Sequence, residues 1–192
     1  MTLSKETIVR AAIELLNQGG IDHLSMRSLA AFLDTKAASL YRHIKDKEDL
    51  YALISEAVVS EIRPTCSLGN PKKYLMEVAE LYRQKLLALR DSVEIITQSK
   101  GVTMLGHVEF LKNVMICLLH LGVAENKCMV ATHMLNNYIL TSVADEVYFR
   151  SFPADAPNAY EAILGSNFKW LSFDEQFNYG LEVLFTGFKA LK

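Results

Sequence analysis

The sequence is poor in the residues that build staples, cages and barrels. Its 192 residues include 3 cysteines, 4 prolines and a single tryptophan. Cys66, Cys117 and Cys128 are odd in number and unrelated in spacing, which argues against a disulfide framework. The uncharged run Asn113–Ala124 is 12 residues long with His120 inside it, too short to cross a bilayer. No stretch alternates apolar and polar residues at the period of a strand, and there is no internal repeat or low-complexity segment. Neither sign of charge dominates. With 20 basic and 22 acidic side chains the formal net charge is −2, which excludes a globally basic nucleic-acid coat and a polybasic membrane tail. Met1-Thr2-Leu3-Ser4-Lys5 runs directly into an amphipathic pattern, so no signal peptide is expected and a soluble cytoplasmic protein is.

Catalytic constellations are also missing. There is no phosphate-cradling glycine loop, no G-x-S-x-G and no carboxylate pair beside a base. Cys117 and His120 lie three apart on one helix, a spacing that suits zinc, but no second pair accompanies them and a core Cys and His is expected. The expectation is no enzyme, no cofactor and no metal.

What is present divides at Pro64. Residues 1–63 carry 17 charged side chains, about 27% of the segment, against 25 in residues 64–192, about 19%. Aromatics run the other way, 3 before Pro64 and 15 after, and five of the seven methionines also follow it. A small charged module therefore precedes a larger one whose composition suits a wide apolar pocket, a partner interface, or both.

Helical periodicity runs through nearly the whole chain. Ser4 is placed to cap a helix carrying Ile8, Ala11, Ala12, Leu15 and Leu16, which Gly19-Gly20 stops. A second helix follows Ser25, a third capped by Thr35 spans Lys36 to about His43, and a fourth spans about Lys47 to Ile62, ended by Pro64. Asn70-Pro71 opens a helix through Leu89. Further helices are expected near Val93–Ser99, Thr103–Leu121, Glu125–Phe149, Tyr160–Leu164 and Asp174–Leu191, with a loop over Ser151–Asn158. The fold class is all-α. Residues 1–46 form an N-terminal three-helix domain, 47–63 a connecting helix, and 64–192 a larger helical domain.

Two short helices joined by a tight turn and braced on each side describe a helix-turn-helix, whose second helix enters the major groove. Ala30, Leu33 and Leu40 face inward on this pattern, while Lys36, Ala37, Ser39, Tyr41, Arg42 and His43 face out. Ala37 and Ala38 are small enough for close approach to a thymine methyl, Arg42 suits bidentate guanine readout, and Tyr41, His43 and Lys47 suit phosphates. Between Ser25 and Lys47 five bases meet two acids, a local charge of +3 that the whole-chain value conceals.

These residues resemble the tetracycline-repressor (TetR) family of bacterial transcription regulators. The pattern runs from Ile8-Val9-Arg10-Ala11-Ala12 through Gly20-Ile21, Ser25-Met26-Arg27-Ser28-Leu29-Ala30, Ser39-Leu40-Tyr41-Arg42-His43-Ile44 and Lys45-Asp46-Lys47 to Leu50. The resemblance implies DNA contacts for Arg27, Ser39, Tyr41, His43 and Lys47, and operator preference set at Lys36, Ala37, Ala38 and Arg42. Asp34 stands where the family usually has a turn glycine.

The segment Phe173–Phe185 looks like the last helix of the tetracycline-repressor branch itself, with weaker likeness at Leu89-Arg90-Asp91 and Asn137–Glu146. Where that branch holds a magnesium ion with histidines, this chain has Ile96 and Asn137. An apolar side chain cannot ligate a hard cation, so a different small molecule is expected.

One recognition helix reads few base pairs, so a dimer on a palindromic site is expected. Phe177, Leu181, Leu184, Phe185, Phe188 and Leu191 form an apolar stripe beside Gly180 and Gly187, read here as the dimer interface with the helix Glu125–Phe149. Ligand contacts are expected from the inward faces of the middle helices: Val78, Tyr82, Ile96, Met104, His107, Val108, Leu111, His133, Met134, Asn137, Tyr138 and Thr141, with Trp170 at the pocket mouth. The resulting expectation is a homodimeric repressor released by a small, largely apolar or aromatic effector. An effector-independent DNA-binding dimer and a helical binding module that does not engage DNA stay open beside it.

Overall fold

Helices start where a side chain can take their unpaired first-turn N–H groups. In the computed structural model, which describes residues 3–99, 105–152, 165 and 170–190, Ser4 caps α1 (Lys5–Gly19), its Oγ accepting the Thr7 N–H at 3.2 Å. Gly20 ends α1 at φ 77°, a left-handed angle that favours glycine. A 3-10 turn over Ile21–His23 leads to α2 (Met26–Phe32), which opens on a reciprocal cap. The Ser28 N–H donates to Ser25 Oγ at 3.0 Å and the Ser25 N–H to Ser28 Oγ at 2.9 Å. Next come α3 (Ala37–Leu40) and α4 (Lys47–Ser60), the latter capped by Asp46, which accepts the Asp49 N–H at 2.8 Å.

The expected third helix is shortened by this geometry. Lys36 rather than Thr35 is its N-cap residue, without a side-chain bond, and residues 41–43 turn instead of continuing the helix. Ile8, Leu16, Leu29, Leu40, Leu50 and Ile54 are fully buried together, so α1–α3 close around the first half of α4.

Beyond Pro64, Asn70 caps α5 (Pro71–Leu87), α6 spans Ser92–Gln98 and α7 spans Leu105–His120. Glu125–Lys127 form a 3-10 turn before α8 (Cys128–Arg150), so the expected helix over Glu125–Phe149 begins three residues later. Helix α9 covers Phe173–Ala190. The expected short helix Tyr160–Leu164, and the expected loop Ser151–Asn158 beyond Phe152, lie outside the described residues. All the regular elements among those residues are helical.

Helices α5, α7 and α8 pack on one another, α9 lies on α8, and α4 is held between α6 and α7. One buried ionic cluster ties this half together. Arg83 of α5, 3% exposed, donates twice to Glu146 of α8, 2% exposed, at 3.0 and 2.7 Å. It also donates to Asp174 of α9 at 2.8 Å, and its guanidinium lies 4.8 Å above the Phe177 ring. Arg150 bonds the other Glu146 oxygen.

Candidate nucleic-acid interface and receptor core

The turn between α2 and α3 is set by backbone bonds and one left-handed residue. The Thr35 N–H donates to Ala30 O at 2.9 Å, and Asp34 adopts φ 48°. Asp34 therefore occupies the left-handed region that glycine fills at no steric cost. This turn presents α3 with Leu40 and Ile44 buried beneath it and Ala30 buried on α2, while Leu33 is half-buried. Lys36, Ala38, Tyr41 and Arg42 are exposed, and Ala37, Ser39 and His43 are half-buried. Arg27 at the start of α2 and Lys47 at the start of α4 flank them, both exposed. The Lys47 ammonium stands 5.4 Å over the Tyr51 ring, which steadies its stem while its charge stays in solvent. Tyr41, 55% exposed, has a polar tip free to meet a phosphate. A small-residue helix rimmed by cations and a phenol is chemically suited to a duplex groove.

This unit meets the larger half through polar contacts at Arg90 and Asp91. Asp91, at φ 53° before α6, accepts the Ile21 N–H at 2.7 Å. Beside it the Arg90 N–H donates to Asn17 Oδ1 at 2.9 Å. On the opposite side of α4, Glu56 and Ser55 engage His107 at the start of α7. His107 Nδ1 lies 3.0 Å from Glu56 Oε2 and its Nε2 lies 3.2 Å from Ser55 Oγ. Serine, imidazole and carboxylate stand in the order of a nucleophilic triad, but Ser55 is fully buried, so no carbonyl substrate can reach its Oγ.

The structure scatters the expected pocket. Val78, Tyr82 and His107 are buried, with Tyr82 edge-on to Phe110 at 5.9 Å, and Ile96 and Leu111 are half-buried. Burial raises the Tyr82 phenol well above its ordinary pKa. Met104 lies outside the described residues. Val108, His133, Met134, Asn137 and Thr141 are exposed, which corrects their placement on inward faces. On α8 the apolar and polar positions are mixed around the helix, so periodicity does not reveal which side faces in.

Tyr138 and Trp170 line a groove of about 380 Å³ between α8 and α9, with Phe149, Phe173 and the Arg83–Glu146 pair. There Trp170 packs edge-on to Phe149 at 5.4 Å. A separate half-open cavity of about 390 Å³ lies where the end of α4 meets α5 and α7, lined among others by Val59, Ile62, Arg63, Tyr74, Phe110 and Asn113. None of the twelve expected ligand residues that are described lines it.

The stripe on α9 also needs correction. Phe177, Leu181, Phe185 and Phe188 are buried within the single chain, so they are core and not a free interface, while Leu184 is half-buried. A Cβ on Gly180 would fall 2.1 Å from the Tyr138 hydroxyl, which donates to Phe177 O at 2.9 Å. That glycine makes room for Tyr138 inside the chain, whereas Gly187 faces open space and Leu191 lies outside the described residues. Cys117 is buried with its thiol pushed up to about 11 by burial, and His120 is exposed, so the two do not form a metal site. Among the described residues no group of His, Cys, Asp and Glu could hold a metal ion, and no helix is long and apolar enough to cross a membrane.

The model of the bacterial regulatory proteins of the tetR family matches residues 8–54, the whole span from α1 into α4. An HTH-type transcriptional regulator of Saccharopolyspora erythraea is 32% identical, over 98% of this chain and 85% of its own length. The chain belongs to the TetR family. It is thus a DNA-binding transcriptional regulator and not an enzyme. The class G tetracycline repressor of Vibrio anguillarum is 28% identical, covering 99% of this chain and 95% of that one. Among solved structures, the Streptomyces coelicolor TetR family protein ActR in complex with (S)-DNPA superposes with a TM-score of 0.80 at 25% identity, over 99% of this chain and 98% of that one. Sequence reasoning missed Glu56 and Arg83, whose partners Gly106 and Glu146 lie 50 and 63 residues away, and Glu146 was visible only as the end of the Asn137–Glu146 likeness. Asp91 was visible only as part of the Leu89-Arg90-Asp91 likeness.

Proposed function

We propose that this TetR-family regulator is a cytoplasmic homodimeric repressor that binds a palindromic operator and releases it when a small, largely apolar or aromatic effector binds. Residues 1–46 read DNA, 47–63 connect, and 64–192 receive the effector and dimerise. Arg27, Ser39, Tyr41, His43 and Lys47 serve the phosphates, and Lys36, Ala37, Ala38 and Arg42 meet base edges.

The observation that carries the dimer is an apolar strip left uncovered on two adjacent helices. Met129, Val130, Met134 and Tyr148 of α8, with Tyr179 and Val183 of α9, are all 48–68% exposed. Met134, Asn137, Thr141 and Tyr148 recur at helical spacing on the outer side of α8, and Tyr179, Val183 and Thr186 do so on α9. Two copies placing these faces together bury them in a four-helix bundle, which is where Met134, Asn137 and Thr141 of the expected ligand set then fall. A half-open cavity of about 390 Å³ at the end of α4 falls in the size range of small-molecule sites and touches the connecting helix directly. The structural relative ActR, crystallised in complex with (S)-DNPA, supports a small-molecule effector.

Sedimentation of the wild type and of Val183→Asp tests the reading, each alone and with a duplex that the wild type selects from random sequence. The wild type is expected to sediment as a dimer and to select two inverted half-sites. Val183→Asp is expected to be a folded monomer with lost operator affinity. A monomeric wild type, or a selected duplex without symmetry, overturns it.

A further inference from the structure

The first-turn N–H groups of a helix have no partner within it. Two of those at the start of α7 are taken by a side chain from α4. The Glu56 carboxylate accepts the Gly106 N–H at 2.7 Å and the His107 N–H at 3.1 Å. With the His107 Nδ1 contact it holds three groups of α7 at once, and Ser55 holds the far side of the same imidazole. Burial raises the Glu56 pKa, but the His107 bond and the two backbone donors outweigh it, so the carboxyl sits below its usual range and is charged at neutral pH. Glu56 is a helix cap supplied by another helix, with the sign that the positive end of α7 favours.

Gly106 completes this joint. A Cβ there would stand 2.5 Å from Glu56 Oε1 and 3.0 Å from its Cδ. Glycine weakens a helix, and here the bare Cα is what admits the carboxylate.

The geometry points to Glu56 as the positioning residue that sets the reading heads against the receptor core, with Gly106 as its receptacle and His107 as its second anchor. Helix α4 is shared by both halves: Leu50 and Ile54 lie in the core formed with α1–α3, while its outer half packs on α6 and α7. Apolar contact between α4 and α7 is non-directional and tolerates sliding. A charged cap meeting fixed donors does not, so it selects one register. Any shift of the α7 end is thereby carried into α4 and on to α3. The inference rests on the proposed paired-half-site reading, because the register of α4 fixes the spacing of two heads only in a dimer.

The test uses the full-length chain and duplexes that the wild type selects from random sequence, rebuilt with the gap between half-sites one base pair longer or shorter. Gly106→Ala displaces the carboxylate without removing a polar group, and alanine favours the helix, so folding is preserved. Wild type is expected to discriminate among gap lengths. Gly106→Ala and Glu56→Ala are expected to lose that discrimination by about fivefold or more, with half-site affinity and cooperative thermal unfolding retained. Glu56→Gln keeps an acceptor oxygen for the two N–H groups and is expected to restore part of it. Unchanged discrimination in every variant, with only the melting temperature lowered, overturns the proposal and leaves Glu56 as a cap for α7. A wild-type selection without paired half-sites fails the operator reading, and this proposal with it, before any variant is measured.

Discussion

The two ends of the chain place their charges in opposite ways. Around α2 and α3, Arg27, Lys36, Arg42, Lys45 and Lys47 are all in solvent. Between α5, α8 and α9, Arg83 and Glu146 are withdrawn from water and bonded to each other from two atoms. Exposed ion pairs contribute about 0–1 kcal/mol to stability, so the first set is free to serve a ligand. A buried pair is different, because removing one member strands the other. The difference separates charges that read from charges that hold.

Breaking the holding set gives the largest effect. Glu146→Ala leaves Arg83 buried with Asp174 and Glu80 as its remaining carboxylates among the described residues, and removes the Arg150 bond. It should cost about 3–5 kcal/mol in urea unfolding. A loss below about 1 kcal/mol, the range of an exposed pair, would mean that the cluster does not hold the three helices. Replacing both partners by apolar residues of similar volume should recover most of the loss, since the penalty lies in the unpaired charge.

Breaking the reading set should do the reverse. Arg42→Ala is expected to leave unfolding within about 0.5 kcal/mol of wild type. Its operator affinity should fall by about 1–3 kcal/mol, concentrated at one base pair of each half-site. Lys47→Ala should weaken all duplexes alike and lower the salt dependence by about one counterion per contact. Fluorescence anisotropy against salt distinguishes the two. A uniform loss for Arg42→Ala would place it on phosphate rather than on a base.

The same contrast explains what was legible in the sequence. The reading end is local: caps at Ser4 and Ser25, the turn at Asp34, and a core of closely spaced leucines are all written within a few residues of their effects. Its helix order followed directly, whereas α3 is shorter than expected, with Lys36 in the cap position expected of Thr35, residues 41–43 in turns, and Ala37, Ser39 and His43 half-buried. The receptor end depends on distant pairings. Arg83 meets Glu146 across 63 positions and Glu56 meets Gly106 across 50, and no periodicity announces either. On α9 the stripe was read correctly as apolar, yet apolar periodicity does not say whether a face turns to its own chain or to a copy. Burial of Phe177 and Phe185 settles it for the inner face, and Tyr179 and Val183 mark the outer one.

The smallest effect lies at the turn between the two reading helices. Asp34 at φ 48° carries a steric cost that glycine does not, partly offset by glycine's greater freedom in the unfolded chain. Asp34→Gly should therefore stabilise the chain by about 0.5–1 kcal/mol. It also removes a negative charge two residues from Lys36, which by itself favours DNA. Asp34→Asn isolates the charge, because asparagine has the shape of aspartate and a comparable left-handed cost but is uncharged. If strain is the issue, Gly raises the melting temperature more than Asn does, while both tighten DNA binding equally. If Asn matches Gly in melting temperature, the cost at Asp34 was electrostatic, and the turn tolerates its residue by side-chain type rather than by backbone freedom.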